Sequence, residues 1–224
     1  MQNQLQIGIK RRVHRHSDAH AAMADAEFAS LRSAALQRSG YRCVRCGLES
    51  AATAHKPTAL QVHHADDDHT NNAPDNLLPY CTLDHAVHHV GCDAPSPGGH
   101  EGWASRMRVV YAPELTTADF NLLQRAAGAA LAEPSLAEVA QEIVGLLGVL
   151  ASPVRELYGS HHAKDFAAAM AAMDDDQYAK RAVSDLRIAF HPDILRDAGA
   201  RMVSDQPLMA PRNWSAVSGG TGGR

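Results

Sequence analysis

The chain has 224 residues, of which 45% are hydrophobic and 5% aromatic, and its formal net charge is −4. This length accommodates one good core, or one small domain with a helical addition. The overall charge gives no general attraction to nucleic acid, although basic residues outnumber acidic ones over residues 1–46. No apolar stretch typical of a secretory signal opens the chain, and the longest apolar run, 143–151, is shorter than the ~20 residues of a membrane helix. These features favour a cytoplasmic protein without direct membrane insertion.

The first ninety residues alternate between predicted strands, helices and turns. Residues 4–9 predict a short strand, and residues from about 18 to 38 predict an amphipathic helix that begins at Ser17 or Asp18 and ends at Gly40. Residues 43–47 are typical of a knuckle, a tight turn that presents two thiolates to one ion. Residues 58–64 predict a strand, residues 65–76 are rich in turn formers, and residues 82–90 predict a short helix.

The rest of the chain is dominated by helical patterns. A Gly/Pro-rich loop is predicted over 91–102 and a strand over 107–113. Helices are predicted over 116–132, starting at Thr116, and over 135–151, with Pro134 between them, and then over 162–173, 176–190 and 192–204. We expect residues 214–224 to be disordered. The pattern predicts an α+β fold with four parts: an N-terminal strand and helix (1–40), a metal-binding domain (41–112), an α-helical annex (113–205) and a tail (206–224).

The cysteines favour a metal site over disulfides, because no secretory signal precedes them. The chain has four, the first two in a C-x-x-C motif: Cys43, Cys46, Cys81 and Cys92. A tetrahedral structural zinc site needs four ligands, and a second C-x-x-C would place the fourth at position 84, where this chain has Asp84. A carboxylate can bind zinc at about 2.0–2.2 Å, so Asp84 is the candidate fourth ligand, with Cys92 and His85 as rivals. Buried cysteines without an ion are the alternative.

Six of the fourteen histidines fall within residues 63–89. His63 and His64 end a predicted strand, so alternation directs them to opposite faces. His85 and His89 are four residues apart and project from one side of a helix. Three neutral imidazoles can bind a divalent ion and leave positions open for a phosphate oxygen and water, while a fourth accepts a proton. The remaining histidines considered, His55, His69 and His88, are expected to face solvent.

These motifs occur in an order that resembles the HNH (ββα-metal) endonucleases: C-x-x-C, VHH, D-x-D-x-T-N-N-x-P-x-NL, a cysteine and H-x-x-x-H. The resemblance implies two short strands and a helix around one divalent cation, Mg²⁺, Mn²⁺, Ni²⁺ or Zn²⁺, and cleavage of a DNA phosphodiester bond. It implies His64 as general base and Asn76 as the residue that orients the loop. The implied ligands of the catalytic ion are His63, His85 and His89. At the position of Asp84, zinc-stabilised members carry a cysteine.

Residues 41–125 further resemble the DotN/IcmJ group, which are HNH-fold components of the coupling complex in type IVB secretion and related conjugation systems. The resemblance implies a scaffold that contacts a coupling ATPase and other subunits through its C-terminal helices, peripheral to an inner-membrane complex. In that group the nuclease histidines are often replaced, whereas this chain retains them. Three functions therefore stay open: a subunit of such a machine, a free DNA endonuclease, and a module in which metal only stabilises the shape.

Overall fold

The computed structural model describes residues 6–10, 21–68, 70–91 and 102–214, and only the backbone of residues 21–27. These residues form a mixed α/β structure with two small antiparallel sheets. The helices are α1 (Ala21–Arg38), α2 (Thr82–His88), α3 (Thr117–Leu131), α4 (Ala137–Val149), α5 (Ser152–Tyr158), α6 (Ala163–Ala172), α7 (Asp175–Ala179) and α8 (Pro192–Asp205). The strands are β1 (Gln61–His64), β2 (Leu77–Tyr80), β3 (Met107–Tyr111) and β4 (Leu186–Phe190). Several predicted features lie outside the described residues: Ser17, Asp18, His69, Cys92 and residues 215–224.

The first sheet and the helix after it form a compact hairpin–helix unit. β1 pairs with β2 so that His63 lies opposite Leu78 and His64 opposite Leu77. Cys81 follows β2 directly and caps α2, because its sulfur accepts a hydrogen bond from the backbone N–H of Asp84 at 3.5 Å. The predicted strand and helix are both confirmed, with narrower bounds. This unit places the two histidines that end β1 beside α2.

The second sheet corrects the predicted helix over 176–190. Only Asp175–Ala179 is helical there, and Leu186–Phe190 is a fully buried strand that pairs with β3. Its Arg187 is 2% exposed and donates to the backbone carbonyls of Leu115, Ser184 and Leu186. A short apolar run does not distinguish strand from helix by itself. Pairing with a distant strand decides the structure here, and the C-terminal region is therefore not purely helical.

Local signals set several of the other boundaries. Gly40 ends α1 as predicted, with hydrogen bonds from Gly40 N to Gln37 O and from Tyr41 N to Leu36 O. Thr116 caps α3 as predicted, because its hydroxyl accepts from the backbone N–H of Asp119 at 3.1 Å. The predicted tail starts too early, since residues 207–209 and 211–213 form 3-10 turns.

One apolar core runs across the predicted boundary at residue 112. Residues 6–10 are not a strand, but Gly8 exchanges backbone hydrogen bonds with Val87 and Val90 at the end of α2. The core combines residues from the hairpin–helix unit with residues from the second sheet and α8: Ile7, Leu36, Leu60, Leu83, Val109, Ile188 and Leu195. The region around the histidines and the C-terminal region therefore stabilise each other by burying a shared apolar surface.

α4 and α5 form a nearly continuous helical stretch with unusually exposed apolar residues. Residues Ala137–Tyr158 are, within the described part of the chain, long and apolar enough to cross a membrane by length and composition alone, and 22% of the most apolar window is buried in the protein. This stretch is longer than the uninterrupted apolar run 143–151, on which the prediction of no membrane helix was based. Leu146 is 67% exposed and Leu157 75% exposed.

The crossing of α3 and α8 depends on two glycines. A Cβ at Gly128 would lie 1.8 Å from the carbonyl oxygen of Leu195, and a Cβ at Gly199 would lie 2.1 Å from the backbone nitrogen of Ala129. In both cases the obstacle is backbone, which cannot rotate away as a side chain can. The absence of side chains at these two positions therefore sets how closely the helices approach.

We predict that Gly128→Ala lowers the melting temperature. Overpacking of this kind costs about 1–3 kcal/mol, which corresponds to a shift of roughly 2–12 °C for a chain of this size. Gly145→Ala in α4 is the matched control, because nothing lies within 4 Å of its added Cβ and the substitution removes the helix cost of glycine. Thermal unfolding of the two variants measures the difference. A melting temperature for Gly128→Ala equal to that of Gly145→Ala would contradict the close crossing.

Candidate metal centres

Three cysteines and one aspartate form the first candidate metal centre, the thiolate cluster. Its members are Cys43, Cys46, Cys81 and Asp84, and one ligand atom from each lies within 4.8 Å of the others. The Cys46 and Cys81 sulfurs are 3.7 Å apart. Asp84 Oδ2 lies 3.1 Å from the Cys43 sulfur and 3.2 Å from the Cys81 sulfur. The cluster could hold a metal ion and includes Asp84, the predicted fourth ligand.

The turn after α1 presents the first two sulfurs. Cys43 N donates to Leu48 O at 2.9 Å, and Gly47 N donates to Cys43 O at 2.9 Å, which closes the predicted knuckle. Val44 N donates to Pro79 O at 3.0 Å and attaches the knuckle to β2. Because Cys81 directly follows β2, this attachment brings the two pairs of ligands together.

Two residues of α3 complete the surroundings of the thiolate cluster. Arg125 is 1% exposed, and its guanidinium lies 2.7 Å from the Cys81 sulfur and 3.6 Å from the Cys46 sulfur. The side-chain amide of Asn121 donates to Asp84 Oδ1 at 2.7 Å. No sequence pattern singles out either residue, because they lie far along the chain from the ligands that they contact.

Burial and the neighbouring groups shift the pKa values of all four members of the thiolate cluster. Burial raises the pKa of Cys81 and raises the pKa of Asp84 to about 6. A hydrogen bond to Cys46 raises the pKa of Cys43, and hydrogen bonds from Cys43 and Cys81 lower the pKa of Cys46. One thiolate is therefore stabilised by its neighbours and by Arg125. Ionisation of all four groups requires more positive charge than a single guanidinium supplies.

Three histidines form the second candidate metal centre, the imidazole cluster. His63 comes from the end of β1, His85 from α2 and His89 from the residue that ends α2. One ring nitrogen from each lies within 4.8 Å of the others, and His63 Nδ1 is 3.3 Å from His89 Nε2. The structure therefore brings together the three predicted ligands in an arrangement that could hold a metal ion.

The other side of the His63 ring faces an aspartate. His63 Nε2 is buried and has no hydrogen-bond partner among the described residues, and Asp67 Oδ1 lies 3.7 Å away. Burial lowers the pKa of His63, which keeps the imidazole in its neutral, metal-binding form. A carboxylate that accepts a hydrogen bond from a metal-binding histidine fixes the orientation of the ring, and the 3.7 Å separation here is slightly too long for that bond. Sequence reasoning missed Asp67, although its place in the Asp run after the two histidines was a usable signal.

His88 is not solvent-facing, and that prediction was wrong. Its ring stacks on His63 with centroids 4.7 Å apart and on Tyr80 at 5.5 Å. Burial lowers the pKa of His88 to about 4, with further contributions from the charges of Arg45 and Arg181. His88 is therefore a neutral packing partner of a candidate ligand. His55 is exposed, as predicted.

His64 and Asn76, the predicted base and orienting residue, lie at the two ends of the loop between β1 and β2. His64 is 3% exposed, stacks on Phe28 of α1 with centroids 5.2 Å apart, and shares a 3.1 Å hydrogen bond between its Nε2 and Asn72 Oδ1. The Asn76 side chain donates to Asp66 Oδ1 and to Asn71 O, both at 2.8 Å. Asn76 therefore holds the loop after His64 closed. His63 and His64 have different contacts, as alternation along the strand predicts.

No protein-family model matches the chain, and no curated protein is significantly similar to it.

We predict that His88→Phe makes the protein less sensitive to acid. The pKa of His88 is about 4 in the folded protein and about 6.5 in the unfolded chain, so the unfolded chain binds the proton first as the pH falls. The wild-type protein therefore loses stability between pH 6.5 and pH 4, and phenylalanine keeps the stacking but removes the proton site. Melting temperatures across this range should fall less for His88→Phe than for the wild type. The melting temperature of the exposed-site variant His55→Phe should change with pH as that of the wild type does. If the melting temperature of His88→Phe also falls by as much as that of the wild type, the prediction is wrong.

Proposed function

We propose that this protein is a zinc-stabilised nuclease of the HNH type that hydrolyses DNA phosphodiester bonds with a second divalent ion. The observation that carries the proposal is the convergence of His63, His85 and His89 beside His64 at the end of the same strand. A hairpin followed by a short helix presents all four histidines. This arrangement agrees with the resemblance of the motifs to the ββα-metal endonucleases.

The spacing of the thiolate cluster supports zinc as its ion. Two sulfurs about 2.3 Å from a tetrahedral zinc lie about 3.8 Å apart. The Cys46–Cys81 separation of 3.7 Å agrees with this value. A zinc-bound oxygen at about 2.0 Å would lie about 3.5 Å from each sulfur, and the observed sulfur–Asp84 distances of 3.1 and 3.2 Å are a few tenths shorter. Thiolates select zinc over magnesium or calcium, and Arg125 offsets part of the remaining negative charge.

The imidazole cluster suits a catalytic ion. Two nitrogens about 2.0–2.1 Å from a tetrahedral ion lie about 3.3–3.4 Å apart, and His63 Nδ1 and His89 Nε2 are separated by 3.3 Å. Three protein ligands leave coordination positions for substrate and water. When bound, the ion (Mg²⁺, Mn²⁺, Ni²⁺ or Zn²⁺) would supply Lewis-acid stabilisation to a phosphodiester oxygen.

His64 supplies the proton acceptor. In this proposal His64 Nε2 carries the proton and donates it to Asn72 Oδ1 across the 3.1 Å contact, and Nδ1 is the basic atom. Nδ1 can then take a proton from an attacking water near neutral pH. Asn76 keeps the loop that carries Asn72 in place, which fixes the orientation of the base.

Access to His64 imposes a condition on this function. Phe28 covers one face of the ring, and His64 is 3% exposed. The substrate therefore has to approach the edge of the ring or displace α1. Either route makes the position of α1 part of substrate binding.

A second candidate function, a scaffold in a type IVB secretion or conjugation machine, is favoured by the apolar surface of α4 and α5. Val139, Leu146 and Leu157 are 55%, 67% and 75% exposed. In this proposal the surface contacts a coupling ATPase, and the protein works in the cytoplasm at the periphery of an inner-membrane complex. DNA cleavage and docking use different parts of the chain and are compatible.

We predict that His64→Gln abolishes divalent-ion-dependent nicking of plasmid DNA. Loss of a general base lowers the rate by about 10²–10⁴-fold, and glutamine keeps most of the buried volume that alanine would leave empty. Nicking is measured with Mg²⁺, Mn²⁺, Ni²⁺ and Zn²⁺ in turn, with His55→Gln as the control that retains activity. If the unaltered protein cuts neither single- nor double-stranded DNA with any of these ions, the nuclease proposal is wrong and the scaffold function is favoured.

We predict that zinc is retained by Cys92→Ser and lost from Asp84→Asn and Cys43→Ser. The last two substitutions remove members of the thiolate cluster, whereas Cys92 is the rival ligand from the sequence. Elemental analysis of the purified variants measures the zinc content. The zinc-depleted variants should also melt at lower temperatures, since structural zinc contributes directly to folding. Loss of zinc from Cys92→Ser with retention in Asp84→Asn would replace Asp84 by Cys92 as the fourth ligand.

A further inference from the structure

We propose that a groove remote from the histidines, the arginine groove, binds an organic phosphate. The groove has a volume of about 660 Å³ and lies between α4, the start of α8 and the adjacent ends of β3 and β4. This volume is within the range of about 300–1,000 Å³ that is typical of small-ligand sites. Neither candidate metal centre contributes a lining residue, so the proposal is independent of the nuclease function.

Positive charge lines the groove. Arg106, Arg108 and Arg196 all border it, and none of the described lining residues carries a carboxylate. Arg196 forms an ion pair with Asp193 at 3.1 Å, whereas no ion pair joins Arg106 or Arg108 to a carboxylate among the described residues. Within the described residues, Arg106 and Arg108 therefore carry two positive charges that no ion pair offsets. This matches the charge of one phosphate monoester, about −1.5 to −2 at neutral pH, better than that of a single carboxylate.

Part of the groove lining is apolar and accessible. Val144 and Val149 of α4 and Pro192 of α8 line it, and Val149 is 63% exposed. A free inorganic ion would leave this surface unused, whereas an organic phosphate would bury its apolar part there. In this proposal the arginines bind the phosphate, and the apolar part of the lining contacts the organic group, such as the base of a nucleotide.

Two glycines of α4 leave space for that group. Gly145 and Gly148 line the groove, and a Cβ at either position would meet nothing within 4 Å. Glycine inside a helix costs about 0.5–1 kcal/mol relative to alanine. No contact within the described chain requires glycine at these positions, in contrast to the crossing at Gly128. Bare backbone here allows a ligand to approach α4 closely.

The test measures binding of three probes to the 224-residue chain by calorimetry: inorganic phosphate, AMP and a short 5′-phosphorylated oligonucleotide. We expect AMP to bind more tightly than phosphate, and Arg108→Ala to weaken both at least about tenfold, since a charge-assisted contact is lost. Arg155→Ala on α5 is the matched control, because Arg155 does not line the groove. Tighter binding of AMP than of the oligonucleotide identifies a free nucleotide as the ligand, and the reverse identifies a strand end.

A second variant tests the contribution of the apolar lining to binding separately from that of the arginines. Gly145→Phe should fill the groove, weaken AMP binding more than phosphate binding, and leave the melting temperature unchanged or raised. Leu146→Phe, at the adjacent exposed position outside the groove, should bind AMP like the wild type. Absence of binding of all three probes at millimolar concentration, or equal effects of Arg108→Ala and Arg155→Ala, would overturn the proposal.

Discussion

Four acidic side chains share one buried site, and their mutual repulsion is the constraint on which the surrounding structure depends. Cys43 and Cys46 arrive from the knuckle after α1, Cys81 and Asp84 from the start of α2, and Arg125 from α3. In a low-dielectric interior these groups require either protons or a cation to coexist. Three distant parts of the chain can therefore pack together here only if the charge of the cluster is neutralised. A structural ion at this point would provide folding free energy that a seven-residue helix cannot provide by itself.

The same short helix connects both candidate centres. α2 begins at the thiolate cluster, where Cys81 caps it, and ends at the imidazole cluster, where His89 is its last capping residue. The position of His85 and His89 therefore depends on how firmly the first turn of α2 is held. The hairpin fixes His63 from the other side, and His88 packs against the His63 ring. Rigid support of this kind is what a preorganised metal site requires.

The sequence predicted the features that depend on local chemistry. The caps at Gly40 and Thr116, the knuckle and the four-residue spacing of His85 and His89 are all encoded by neighbouring residues. The features that it did not predict depend on distant partners. β4 is a strand because β3 pairs with it, and Arg187 is buried in it because backbone carbonyls surround its guanidinium. Likewise, Arg125 and the burial of His88 become visible only when α3 and Tyr80 are in place.

α3 has one further consequence, because neighbouring positions on one face of this helix contact different parts of the structure. Asn121 and Arg125 contact the thiolate cluster, while Gln124 borders the arginine groove, donates to Asn121 Oδ1 at 3.2 Å and accepts from Phe190 N at 2.9 Å. An unbroken chain of buried hydrogen bonds thus runs from Asp84 to the wall of the groove. Thermodynamic linkage is reciprocal. If a ligand in the groove raised the affinity of the thiolate cluster for an ion, the ion would raise the affinity of the groove for the ligand by the same factor.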